Sequence, residues 1–179
     1  MNRLAQEAVL AGLTRRLDKN GSWSGETHIQ KVAYVLRELA DVPFQFNFIL
    51  YKHGPFSFEL RDELSSMRAD GFLERQPQLP YGPRILVTER GRNLEERFRR
   101  TMSTYGRKLD WVAERLAQKN VLELERLATA LWVTRQHPRS RVDRRARTLS
   151  VIKPHVSREE ALSSVHEIDA LIREAESIS

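Results

Sequence analysis

The chain contains no cysteine. That excludes a disulfide framework, a thiolate-held metal and a cysteine nucleophile. It also has no apolar run near the ~18 residues that a membrane span needs. The opening stretch, MNRLAQEAVLAGLTRRLDKN, is amphipathic and charged, without the apolar block and small-residue cleavage site of a secretory signal. These absences predict a soluble, cytoplasmic protein. Catalytic signatures are missing too. No glycine-rich phosphate loop exists, and Ser22, Ser24 and Ser57 lack a G-x-S-x-G context. His28, His53, His137, His155 and His166 are scattered, with no metal-ligand spacing among them. Asp62-Glu63, Glu95-Glu96 and Glu159-Glu160 are adjacent pairs on helical patterns, and neighbours one apart do not share a helix face. The expectation is a protein that is not an enzyme, with no metal site and no cofactor.

What the chain does have is charge and a core. Of its 179 residues, 40% are hydrophobic and 30% charged, and the formal net charge is +6, carried mostly by arginine. Such a balance permits an acidic partner such as nucleic acid, and a mildly basic protein with no such partner has the same composition.

The hydrophobic period organises the rest. Residues 3–17 read as a helix that stops at Asn20-Gly21. A second helix carries Ile29, Val32, Ala33, Leu36 and Leu39 on one stripe, with Pro43 expected to end it. The period then switches to two. Phe44, Phe46 and Phe48 alternate with Gln45 and Asn47, as in a half-buried extended segment, and Gly54-Pro55 is expected to break it. Ser57 is placed to cap a helix whose Leu60, Leu64 and Met67 face inward and which Gly71 ends. Residues 72–88 read as a hairpin around the turn-forming Leu79-Pro80-Tyr81-Gly82-Pro83, with 72–76 paired antiparallel to 84–88. Thr88 opens a further helix with Leu94 and Phe98 inward. From about residue 105 only helices are expected, over 106–118, 121–135 and 157–175, the last with a capping box from Ser157 and Glu160. Their apolar residues, among them Leu127, Leu131, Val165, Ile168 and Leu171, should pack on one another or on a second copy, so a homodimer is in view. The expected seam lies at residues 103–106, dividing 1–103 from a helical extension, 104–179.

This order of helix, extended segment, helix, hairpin and ILVTERGRNL is that of a winged helix. The expected fold is therefore mainly α with a small β-hairpin, a winged-helix-like domain plus a helical C-terminal extension. The stretch THIQKVAYVLREL…FQFNFILYKHGPFSFELRDELSSMRADGFL, with the tail LERLATALWVTR…IKPHVSREEALSSVHEIDAL, resembles the prokaryotic YwgA-like proteins over residues 26–172. Residues 26–73 are more loosely similar to the Panacea antitoxin-type domain. The resemblance implies a winged-helix-type protein of a prokaryotic cell, either a regulator or an antitoxin or adaptor. It brings no catalytic residues. His53 stands where these patterns commonly place an aromatic ring, and its own ring is expected to pack.

Candidate contacts follow from charge. The helix over 57–70 carries Glu59, Asp62, Glu63 and Asp70 against Arg61 and Arg68, which phosphates would repel, since affinity for DNA rests largely on phosphate neutralisation. Arg61 and Arg68 remain candidates for base contacts. On the hairpin, Arg75, Tyr81 and Arg84 flank a turn suited to a minor groove or a backbone. One basic tract runs from Arg90 to Lys108. The densest holds Arg135, Arg139, Arg141, Arg144, Arg145 and Arg147, with Asp143 the acid among them. Arginine forks match phosphate oxygens. The tract reads equally as a solvated loop, or as a partner for Glu123 and Glu125. Trp23, in NGSWSG, is expected to plug the core. The leading expectation is a DNA-binding protein of transcription regulation. The other is a protein-interaction module that presents the acidic helix to a basic partner.

Overall fold

Residues 1–78 and 81–178 are described by the computed structural model, Gln78 and Tyr81 by backbone only. Asn2 caps the first helix, α1 (Arg3–Lys19), by accepting from the Ala5 amide, and Asn20 closes it. Helix α2 (Glu26–Leu39) follows and ends at Ala40, before Pro43. Asp41 there takes a positive φ of 49°, so the chain turns ahead of the proline rather than at it. Phe44, Phe46 and Phe48 are buried and Gln45 and Asn47 exposed, as alternation requires.

The segment then does something the sequence reading missed. Strand β1 (Ile49–Tyr51) turns through Lys52 and His53 into β2 (Gly54–Phe56), with Tyr51 paired to Gly54 and Ile49 to Phe56. Gly54-Pro55 therefore lies within a strand instead of breaking one. Ser57 caps α3 (Phe58–Ala69) by accepting from the Leu60 amide, and Leu60, Leu64 and Met67 are fully buried. Gly71 leaves the helix at a φ of 72°, where a side chain would be strained.

Strands β3 (Leu73–Gln78) and β4 (Tyr81–Val87) form the hairpin in the expected register, Leu73 opposite Val87 and Gln76 opposite Arg84. Of the expected turn, Leu79 and Pro80 lie outside the described residues, and Tyr81–Pro83 already belong to β4. The loop between α1 and α2 joins this hairpin, because the Ile85 amide donates to the Ser24 carbonyl at 3.0 Å.

Thr88 caps α4 (Glu89–Arg97). The single helix expected from Thr88 onward is interrupted at Phe98, which ends α4 and starts α5 (Arg99–Leu116). The division drawn at 103/104 falls inside α5. Three more helices complete the chain: α6 (Val121–Gln136), α7 (Val142–Ile152) and α8 (Arg158–Glu176). Both α6 and α8 begin with capping boxes, Asn120 with Glu123 and Ser157 with Glu160; the first was not foreseen.

Among the described residues the molecule is thus mainly helical, with two small antiparallel hairpins. Helix α1 packs on α4 and α5, α2 packs on α5 and α6, and α8 closes over α6 and α7. One apolar cluster runs through all of them, from Ala8 to Ala175. Leu127, Leu131, Val165, Ile168 and Leu171 are buried in it, so these faces are covered within a single chain. Among the described residues, no helix is long and apolar enough to cross a membrane.

Candidate nucleic-acid interface

The expected contact residues fall into three places. On α3, Arg61 donates to Asp62 at 2.9 Å and lies over the Phe58 ring at 5.1 Å. Arg68 donates to the Ser65 hydroxyl at 2.8 Å, and partial burial together with the nearby Arg75 lowers its pKa. Glu63 takes a hydrogen bond from Arg3 at 3.1 Å. Asp62 and Glu59 stay exposed, so acids dominate the outer face of this helix.

On the β3–β4 hairpin, Arg75 stands 3.8 Å from the Glu26 carboxylate, and Arg84 is hydrogen-bonded to Asp18. Both cations are turned back to acids of α1 and α2. The side chain of Tyr81 lies outside the described residues.

The third place is α7, which is an ordered helix rather than a loop. Its arginines split by helical phase. Arg145 faces inward, buried, with Nη1 and Nη2 each donating to the Asp169 carboxylate at 2.7 Å and Nη1 also donating to Thr134. It is withdrawn from any phosphate, which corrects its inclusion among the contact residues. Glu123 and Glu125 are not partners of this tract. Arg135 is also engaged, with Glu38. By contrast Arg139, Arg141, Arg144 and Arg147 are exposed. They surround a hollow of about 390 Å³ with Ser140 and Asp143. No acid lies within ion-pair distance of these four guanidinium groups among the described residues; Arg147 reaches only the Asp143 carbonyl, at 3.4 Å. Arg141 occupies the N-cap of α7 and supplies no side-chain cap, so the first amides of the helix add positive potential to the same spot.

Two features escaped the sequence. The first is a polar anchor inside the fold. Gln30 exchanges two hydrogen bonds with the backbone of Ser57, at 2.8 and 3.0 Å, and Lys31 donates to the Pro55 carbonyl at 2.8 Å. Both are buried on the α2 face that the apolar stripe did not include. The second is an aromatic patch. Tyr51, Phe56 and Phe58 pack ring to ring at 5.1–6.0 Å, yet Ile49, Tyr51 and Phe58 remain 40, 47 and 38% exposed. Alternation in FQFNFILY points to this outer face, but only the β1–β2 turn gathers the rings.

Two further placements differ from expectation. His53 is 71% exposed at the hairpin tip, its Nδ1 3.2 Å from Glu125, so its ring is not packed. Trp23 is only partly buried and donates from Nε1 to the Gly82 carbonyl at 3.1 Å, tying the α1–α2 loop to the hairpin instead of plugging the core. No family model matches the sequence, and no curated protein matches it.

Proposed function

We propose that this is a non-enzymatic, winged-helix-type protein that binds nucleic acid, DNA in the first instance, through phosphate contacts made by α7. The observation that carries the reading is the set of four exposed arginines, Arg139, Arg141, Arg144 and Arg147, that have no acid partner among the described residues and surround the start of a helix without a side-chain cap. Four exposed cations over one hollow suit a chain of phosphates, which has a charge every few ångströms and no need of base contacts. The acidic outer face of α3 and the engaged Arg75 and Arg84 argue against base reading by the helix and wing. Binding on this account discriminates sequence weakly. The resemblance to YwgA-like proteins is compatible with a regulatory role in a prokaryotic cell, within this same proposal.

The test is fluorescence anisotropy of a labelled duplex over a salt series. Arg144→Ala with Arg147→Ala should weaken binding for every sequence and flatten the salt slope by about two counterions. Absence of wild-type binding at low salt overturns the reading.

A second reading, a protein-interaction module of antitoxin or adaptor type, is favoured by the exposed Tyr51–Phe56–Phe58 patch. Aromatic rings beside an arginine are the composition of interface hot spots. Tyr51→Ser with Phe58→Ser should leave DNA binding intact and abolish any capture of a protein partner.

A further inference from the structure

A second set of open cations lies on α5. Met102, Tyr105, Leu109 and Val112 turn the apolar face of this helix to the core. Arg100, Ser103 and Arg107 fall on the opposite face, at i, i+3 and i+7, and all three are exposed. Arg99 is exposed beside them. Two acids of this region are taken by α1: Glu95 holds Arg15 at 2.7 Å, and Asp110 holds Arg16 at 2.5 Å. Among the described residues no acid lies within ion-pair distance of Arg99, Arg100 or Arg107; Glu96, exposed one turn earlier, pairs with none of them.

This face and the α7 hollow approach one corner of the fold, the end of α2. Lys108, next to Arg107, donates to the Ala40 carbonyl at 2.8 Å. Arg135, in the last turn of α6, stands 3.7 Å from the Glu38 carboxylate, and Arg139 follows shortly after α6 ends at Gln136. Both α5 and α6 pack on α2, so the two sets of arginines flank its last residues. Asp41, at the same corner, is exposed. Arg100 and Arg107 are two turns apart, about 10.5 Å along the helix axis. One DNA strand rises ~3.4 Å per step, so that interval spans about three phosphates. Arginine and serine side chains are both common donors to phosphate oxygens.

We propose that α5 and α7 form one surface for the backbone of a DNA duplex, laid across the end of α2. Arg100, Ser103 and Arg107 hold one stretch of phosphates, and the α7 arginines hold another. The proposal rests on the nucleic-acid reading of α7 and extends it to a second element, on the far side of α2. It also gives Asp41 a part. A carboxylate at the corner that the duplex crosses repels the phosphates passing over it, so this acid holds affinity down.

The test is anisotropy of a labelled duplex over a salt series, with the full chain and its variants, each checked for its fold by circular dichroism. Arg100→Ala with Arg107→Ala should weaken binding about tenfold at low salt and flatten the salt slope by about two counterions. Asp41→Asn should tighten binding. Lys52→Ala, an exposed cation at the β1–β2 turn, should change neither quantity. Titration at stoichiometric concentration should give one duplex per chain. An unchanged affinity and slope in the α5 pair, while Arg144→Ala with Arg147→Ala weakens binding, overturns this proposal and leaves the α7 reading standing. Two duplexes per chain overturn the shared surface, as does a loss in Lys52→Ala equal to that of the α5 pair. Weakening by the α5 pair with none from the α7 pair, or no wild-type binding at all, overturns both.

Discussion

Lys31 on α2 reaches across to the carbonyl of Pro55, 2.8 Å away, and is itself buried to 1% exposure. Together with Gln30 it fastens the whole stretch from β2 to the start of α3. Burial, partly offset by Glu125 and reinforced by Lys153, lowers its pKa to about 8. Lys31→Met keeps the volume but strands the Pro55 carbonyl, at an expected cost of about 1–3 kcal/mol. A lysine whose folded pKa is depressed binds fewer protons in the folded state between about 8 and 10.5. Stability of the wild type should therefore rise with pH across that window relative to the Met variant, whose titration lacks this group. Chemical denaturation at pH 7.5 and pH 10, by a pH-stable denaturant, checks both effects.

Arg144 and Arg145 are sequence neighbours with opposite assignments. Arg145→Ala leaves Asp169 without its bidentate partner and should cost about 3–5 kcal/mol. Arg144→Ala should change stability by less than about 0.5 kcal/mol and lower nucleic-acid affinity. Thermal melts and anisotropy on the two variants separate the roles. Equal effects of both on stability would contradict the assignment.

Glu7 is buried on α1 beside Glu63 and Asp70, with the Arg3 guanidinium 3.2 Å away. Burial first, then Glu63, raises its pKa from 4.5 to about 7. The folded state holds this proton more tightly, so its contribution is present at low pH and fades as pH rises from about 4.5 to about 7. Glu7→Gln should stabilise the protein at pH 8 by on the order of 1–2 kcal/mol, less than the full linkage value because Arg3 stays beside the carboxylate. The gain should shrink towards zero at pH 4.5. A gain that grows on acidification would be the wrong sign.

Gly91, on α4, touches the hairpin's root. A Cβ there would press into the Phe72 carbonyl and come within 2.7 Å of Val87 Cγ1. The neighbour is backbone, which cannot swing aside, so Gly91→Ala should destabilise by about 1–3 kcal/mol despite the better helix propensity of alanine. Hydrogen exchange should show the loss concentrated at the β3–β4 pairs.

Local chemistry wrote most of the elements. Ser57, Thr88 and Ser157 fix helix starts because a hydroxyl meets orphan amides within three residues, and Gly71 marks an end for an equally local reason. The register of residues 72–76 against 84–88 follows from alternation about a short turn, and the acidity of α3 is plain in its composition. The β1–β2 hairpin was hidden because three-residue strands leave no period to read, and Gly-Pro signals a turn more often than a strand.

Which charges are free was decided by tertiary structure alone. Arg84 meets Asp18 from 66 positions away, Arg145 meets Asp169 from 24, and Lys31 meets Pro55 from 24. No window of sequence spans such pairs, and helical phase assigns a face without saying what will cover it. The same tract thus yields one arginine locked inside and four open to a partner. His28 shows the same: its Nε2 meets the Lys119 carbonyl at 3.3 Å from 91 positions away, a contact that exists only once α2 packs beside the start of α6.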